Sequence, residues 1–502
     1  MTKRVAVLVA AQVVLHLSVL TRYGYFRDEL YYVASTRHLA WGYVDHPPLS
    51  IALLAAWTAV FGDSIAAIRV VPVVAGAAVA LLAALLARAL GGGRLAQALA
   101  ALCVVAAPEF LGSQHVYSMN ALDQLAWTAT ALLLVRLVAA PRPGLWLLLG
   151  AVLGLGLQNK ISVLWLGAGI AAALLLTPMR AALRTRWPWL AAALALLAFA
   201  PYVAWQVAHG FPTLEFMRNA TRLKMVAGAP LQFLGIQILT MNPATLPVWL
   251  GGLAWLLLDR EGRRWRALAI VFLAVVAILL GAGTSKPSYL APAFPMLFAA
   301  GAVAWERWAA HGVRRWARVA LVALVAFSGL ALAPLAIPLL SPDGYVAYTR
   351  ALGLRPPDVE RHERIELPQH FADMHGWDEM AEKVARAWNG LAPAERARCV
   401  IYGQNYGEAG AIDVLGRRRG LPGAVSGHNS YWFWGPGNPA ADIVIIIGGE
   451  MEDHAGEFAD LRQVETIECR RCMAYERGLG VFVGRGLKRP LGEIWPELRE
   501  FI

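Results

Sequence analysis

The sequence predicts a polytopic α-helical membrane protein of about eleven transmembrane helices, with a C-terminal extracytoplasmic α/β domain. Three observations predict it. Charged residues make up only 16% of the 502, against about 25% in a soluble domain. Leu-, Ala- and Val-rich runs recur along the first two thirds of the chain, and mean hydropathy is +0.51. The composition then turns polar at Ser341-Pro342-Asp343-Gly344.

A helix needs ~20 apolar residues to cross a bilayer. Runs of that kind lie near 4–21, 64–88, 94–112, 119–139, 144–157, 161–177, 188–208, 231–257, 266–283, 287–305 and 316–340. Lys3-Arg4 followed by residues 5–20 lacks a small-residue cleavage site and reads as an uncleaved first span. With the N-terminus inside, the cytoplasmic segments collect Lys3, Arg4, Arg88, Arg94, Arg136, Arg142, Arg180, Arg184, Arg186, Arg260, Arg263, Arg264, Arg266, Arg307, Arg314, Arg315 and Arg318. The short outer loops hold fewer basic residues, and the asymmetry sets the orientation. An odd number of spans then puts residues 341–502 outside. The net charge of +11 follows from these loops. No stripe of basic and aromatic residues points to nucleic acid, which is excluded as a partner.

Residues 1–340 thus form the membrane domain, with an outer loop at 22–63. In that loop Phe26, Leu30, Val33, Ala34 and Trp41 recur at helical spacing, as in a helix lying in the interface. Residues 49–61 are apolar but short, and read as a second interfacial helix. In 341–502, a strand at 398–402, a helix at 407–419 and a strand at 442–447 suggest a small α/β domain. Cys469-Arg-Arg-Cys472 has redox or metal spacing, but no second Cys/His pair completes a zinc site. An extracytoplasmic location favours a structural disulfide there.

Charges at a membrane are costly, so each needs an account. Asp28-Glu29 offers a general base for an acceptor hydroxyl, or simply acids at a helix N-terminus. Asp45-His46 precedes Pro47-Pro48 and reads as a site or as turn chemistry. Asn120 and Asp123 share one helix face, as site residues or as a cap. Lys160 and Lys286 either snorkel or stabilise a phosphate leaving group. Both lie at the outer face, against the positive-inside bias. Carboxylates and lysines gathered there suggest transfer from a donor whose lipid tail sits in the bilayer.

The residues 25–32, Tyr-Phe-Arg-Asp-Glu-Leu-Tyr-Tyr, with Trp-Gly-Tyr-Val-Asp-His-Pro-Pro-Leu at 41–49, resemble the first outer loop of family 39 glycosyltransferases. That family includes protein O-mannosyltransferases and aminoarabinose transferases. Residues 286–295 are similar to its Lys-x-x-Tyr-Leu-x-Pro-x-x-Pro element, which contains Tyr289. The resemblance covers about residues 1–340. It implies the GT-C membrane fold and a polyprenyl-phosphate sugar as donor, with a divalent metal as a further candidate cofactor. It implies a multi-pass protein of the bacterial inner membrane. Asp28 then stands at the catalytic carboxylate, with Glu29 beside it, and Asp45 at an acidic position that shapes the site. His46 stands where aminoarabinose transferases place a Lys that meets the donor phosphate. That departure argues against a lipid A substrate and leaves the phosphate contact to Lys286, with Lys160. Asn120 and Asp123 align with the family's second acidic loop, where Asp is more usual than Asn.

The block at 402–410, with Ser-Gly-His-Asn-Ser-Tyr-Trp at 426–432, resembles the external domain of bacterial members. Gln404, Asn405, His428 and Asn429 suit sugar recognition, or a strand-loop packing cluster. The expected activity is an inverting hexosyl- or pentosyltransferase acting on a glycan, lipid or protein acceptor. The alternatives are a transporter or flippase, which the lack of an inverted repeat disfavours, and a non-catalytic glycan-binding protein.

Overall fold

The computed structural model describes residues 2–225, 229–310, 314–354 and 365–502. The chain divides into two compact units, and each is discontinuous in sequence. One comprises Met1–Leu20, Arg69–Trp205 and Ala227–Leu339; the other Thr21–Ile68, Gln206–Val226 and Leu340–Ile502. The segments Thr21–Ile68 and Gln206–Val226 therefore group with the C-terminal part of the chain.

Helix stands at each of the expected spans, but not every one is long enough to cross a bilayer as a single straight helix. Among the described residues, five helices are long and apolar enough to cross a bilayer: Ile65–Ala89, Met119–Ala139, Trp187–Ala208, Pro287–Trp308 and Arg314–Ala336. The total rises to seven if two bent pairs each count as one span. The breaks have local causes. Proline lacks an N–H and pushes the preceding residue out of the helical region. Pro108 starts a new short helix after Arg94–Val105, and Pro178 starts a 3₁₀ turn after Val163–Leu176. Pro230–Thr240 turns by 98° into the next helix at Asn242, whose φ is +71°. The Asn242 side chain is buried there. It donates to the Ala106 carbonyl at 3.1 Å and accepts from the Ser328 hydroxyl at 2.7 Å.

Small residues let the remaining helices approach closely, as membrane helices require. Gly150 faces Ala191, and Gly154 faces Ala195 and Ala198. Helices Leu246–Leu258 and Phe294–Trp308 cross at Gly252 and Gly301, where a Cβ would run into the backbone of Leu297 and Val248.

The second unit is built on a five-stranded mixed sheet in the order β2-β1-β3-β5-β4. Its strands are β1 (Cys399–Gly403), β2 (Ala424–Val425), β3 (Ile443–Ile447), β4 (Phe458–Ile467) and β5 (Leu479–Leu487). β1 runs parallel to β2 and β3, with Cys399 opposite Ile443; β5 is antiparallel to β3 and β4. β3 is Ile-Val-Ile-Ile-Ile and wholly buried, the pattern of a strand covered on both faces. The α/β reading is thus correct for this region. The expected helix after β1 starts as α-helix at Tyr406–Ala411, widens to a π turn over Ile412–Gly416 and closes with a 3₁₀ turn over Arg417–Arg419. Gly420 ends it with φ +80°.

The outer loop contributes helices Arg27–Ser35 and Leu49–Phe61 to this unit. Trp41 lies beyond the first helix and is exposed. Gly24 and Arg27 donate their backbone N–H groups to the Met374 and Asp373 carbonyls, each at 3.0 Å. Val44 N–H donates to the Ser430 hydroxyl at 3.0 Å, and Asn219 to the Phe501 carbonyl at 2.9 Å. Cys469 and Cys472 are buried free thiols, so the expected disulfide is not formed. The Cys472 thiol donates instead to the Cys469 carbonyl at 2.9 Å.

The crossing at Gly301 gives a stability test. Gly301→Ala should destabilise the detergent-solubilised protein by about 1–3 kcal/mol through overpacking. Gly281, which has open space around its Cα, should tolerate Ala or gain about 0.5–1 kcal/mol in its helix. Equal thermal midpoints for the two variants would show that the crossing is not tight.

Candidate functional site

Asp28 is the second residue of helix Arg27–Ser35, where the helix dipole favours a carboxylate. Its side chain is 36% exposed. Tyr406 Oη donates to Asp28 Oδ1 at 2.9 Å. Burial pushes the Tyr406 phenol well above its usual range, so it keeps the proton it donates. The Arg27 guanidinium lies 4.0 Å from Asp28 Oδ1 and 4.0 Å from Asp373 Oδ1. It sits over the Tyr406 ring and bonds the Tyr475 hydroxyl. Burial alone would pull Arg27 down, but Asp373, Tyr406, Tyr475 and Asp28 outweigh it and hold the group charged. Asp28 is thus an accessible carboxylate held from two sides.

Its neighbour has a different task. Glu29 is fully buried and accepts the Phe26 N–H at 2.9 Å, which ties down the helix start. The catalytic expectation narrows to Asp28. Asp45 accepts the Tyr31 hydroxyl at 3.0 Å, and burial raises its carboxyl above the usual carboxylate range. His46 is buried among the rings of Tyr31, Tyr32 and Tyr43, with Nδ1 3.0 Å from the Pro47 carbonyl. His46 Nε2 lies 3.9 Å from Asp45 Oδ1.

Three of the four residues expected to recognise sugar are structural. Asn405 caps helix Tyr406–Ala411, accepting the Gly407 and Glu408 N–H groups at 2.8 and 3.1 Å. Its amide donates to Glu408 at 2.8 Å and Glu476 at 3.2 Å. His428 is buried: Nδ1 accepts the Tyr406 N–H at 3.1 Å, and Nε2 donates to the Ile502 carbonyl at 2.8 Å. Asn429, fully buried at φ +49°, exchanges two 3.0 Å bonds with the Ile502 backbone. Gln404 and Asn405 stay partly open, Gln404 with Nε2 3.4 Å from His454.

The helical unit carries a second cluster. Lys160 Nζ donates to Asn120 Oδ1 at 2.8 Å and lies 3.5 Å from Asp123 Oδ2. Ser162 Oγ lies 2.9 Å from both Asp123 oxygens. Tyr289 places its ring 5.6 Å from the ammonium and 5.7 Å from the Trp165 ring. Neither simple alternative describes this cluster. Ser118, not Asn120 or Asp123, caps helix Met119–Ala139, and Lys160 is paired instead of snorkelling. Lys286 stands directly before the 3₁₀ turn Pro287–Ala293 and is partly exposed. Among the described residues, no group of three or more His, Cys, Asp or Glu side chains is placed to hold a metal.

Sequence reasoning missed Arg27, Tyr406, Tyr475 and Asp373 as supports of Asp28. It also missed the buried acids Glu408 and Glu476. A carboxylate three residues after Asn405 is a capping signature and pointed to Glu408; nothing local pointed to the rest.

The comparisons agree with this architecture. Residues 45–205 match the family model described as dolichyl-phosphate-mannose-protein mannosyltransferase. That stretch includes Asp45, His46, Asn120, Asp123 and Lys160. The crystal structure of ArnT from Cupriavidus metallidurans in the apo state is similar, with a TM-score of 0.65 at 14% identity over 95% of this chain and 97% of that one. ArnT bound to undecaprenyl phosphate gives 0.62 at 16%, with the same coverage. The arabinofuranosyltransferase AftD from mycobacteria gives 0.50 at 15%, over 97% of this chain and 42% of its own. No curated protein sequence gives a match. The chain shares the fold of these ArnT structures, and its likeness to the mannosyltransferase family lies in residues 45–205.

The buried acids give a pH test. Burial pushes Glu476 up from 4.5 to about 8. Within that window the folded chain holds a proton that the unfolded chain has released, so stability falls as pH rises through it. Glu476→Gln should flatten this part of the profile. Thermal midpoints between about pH 5 and about pH 8 should fall less for the variant than for the wild type. Parallel curves would remove Glu476 from the account.

Proposed function

We propose that the chain transfers a hexosyl or pentosyl group from a polyprenyl-phosphate donor to an acceptor hydroxyl, on the extracytoplasmic face of the membrane and with inversion. The observation that carries this reading is Asp28: an accessible carboxylate, hydrogen-bonded by Tyr406 and flanked by Arg27, on a GT-C fold. In this reading Asp28 takes the proton of the acceptor hydroxyl. The acceptor oxygen forms a bond to the anomeric carbon, and the bond from that carbon to the phosphate oxygen breaks. The phosphate leaves with the electron pair.

The developing charge on the leaving group calls for fixed cations. Lys160 and Lys286 are assigned to it. Asn120 and Asp123 hold the Lys160 ammonium at 2.8 and 3.5 Å, which fixes the cation before a donor arrives. An ammonium has three donors, so such a hold is compatible with a phosphate contact. The choice of donor class is supported by the similar ArnT structure bound to undecaprenyl phosphate. Asp45, hydrogen-bonded by Tyr31, is assigned to shaping the substrate site.

The test uses the full chain with a radiolabelled polyprenyl-phosphate sugar. Asp28→Asn should lower transfer by about 10²–10⁴-fold, the usual share of a general base, while donor binding and thermal midpoint stay near wild type. Normal turnover in that variant sinks the reading. Lys160→Met and Lys286→Met should each weaken donor binding and slow transfer, without creating an Asp28 phenotype. Movement of the donor across the bilayer without transfer would instead favour a flippase.

A further inference from the structure

We propose that a cavity in the sheet-containing unit, walled by His38, Trp434, Tyr431, Asp413 and Arg417, is a saccharide-binding site distinct from the Asp28 centre. Its volume is about 330 Å³, at the small end of the roughly 300–1,000 Å³ of small-molecule sites. That suits one or two sugar rings.

The walls have the chemistry a sugar needs. His38, exposed, lies flat on Trp434, with ring centres 4.2 Å apart and planes within 8°. Tyr431 packs against the indole at a tilt of 55°, its ring centre 4.3 Å away. The result is a fixed aromatic wall for the C–H face of a sugar ring. Opposite chemistry comes from Asp413, which is buried and immobilised. It accepts the Tyr431 hydroxyl at 2.7 Å and the Ala424 N–H at 3.2 Å, and lies 3.5 Å from Arg417. Arg417 itself is 46% exposed. A locked acceptor beside a guanidinium donor can bond adjacent hydroxyls. The acid and the base cancel, so the pair suits a neutral ligand better than a phosphate or a polyanion.

The cavity also communicates with the candidate base. Tyr431 stacks on Tyr31 at 6.2 Å, and Tyr31 lies against Tyr406 at 4.8 Å. Tyr406 hydrogen-bonds Asp28. A run of rings thus joins the cavity to the carboxylate within one unit. The binding proposed here does not rest on the transferase reading.

The experiment measures binding of chitotriose, maltotriose and mannotriose to the full chain in nanodiscs by tryptophan fluorescence. At least one trisaccharide should bind. Trp434→Ala should weaken it about tenfold, the equivalent of about 1.4 kcal/mol. Arg417→Gln, at an exposed position that leaves the fold intact, should weaken it severalfold, and Asp28→Asn should bind as wild type. No binding of any trisaccharide, or binding that survives both cavity variants, overturns the proposal. If Asp28→Asn still transfers sugar, the transferase reading fails while the binding result stands.

Discussion

Tyr406 reaches Asp28 from a helix 378 residues further along the chain, and the rest of the candidate site depends on that approach. Two glycines make it possible. A Cβ at Gly410 would sit 3.0 Å from Leu30 Cβ, and one at Gly407 would crowd the Arg27 side chain. Helix Tyr406–Ala411 can therefore lie directly against helix Arg27–Ser35. The segment Thr21–Ile68 is then a part of the sheet-containing unit that happens to be encoded between apolar helices. Its carboxylate is held by side chains of that domain, and the angle at which Asp28 leaves its helix is fixed by the packing of the whole unit.

The helical unit faces a different constraint. Its apolar surroundings penalise every unpaired charge, yet Lys160 and Asp123 are both nearly inaccessible, with side chains 12% and 1% exposed. They pair with each other, and Asn120 and Ser162 supply the remaining hydrogen bonds. Burying such a pair seldom adds stability relative to apolar residues of the same size. Its presence is therefore better explained by what a pre-positioned ammonium can do than by what it contributes to folding.

How much of this was legible in the sequence follows the range of the interactions. The helix Leu49–Phe61, strands β1 and β3 and the change of composition near 341 are local, and the sequence pattern locates them. The breaks at Pro108, Pro178 and Asn242 are also local, but a hydropathy run reads straight through them, and apolar helices such as Pro143–Asn159 and Ala267–Ala282 read as spans although they are short. Asp28 stood out because a carboxylate beside a membrane is costly. Asn405, His428 and Asn429 looked equally suited to a ligand, since amides and imidazoles that bind sugar are the same groups that close a helix start or clamp a backbone. Their partners decide the matter, and those partners are a turn away in one case and more than seventy residues away in the others. Arg27 and Tyr475 were invisible for the same reason.

The buried acids explain how Arg27 stays directed at Asp28. Asn405 donates one amide group to both Glu408 and Glu476. Two carboxylates sharing a donor in a dry site resist ionising together, and burial raises both above the usual range. A neutral Glu476 makes little claim on Arg27, whose guanidinium then answers to Asp28 and Asp373 at 4.0 Å each. Ionised, Glu476 would add a further negative charge beside the same cation and draw it away from Asp28. The neutral pair thus protects the field around the exposed carboxylate. In the proposed role of general base, Asp28 needs that field to be constant while its own proton comes and goes, and the raised acids beside Arg27 help to keep it so.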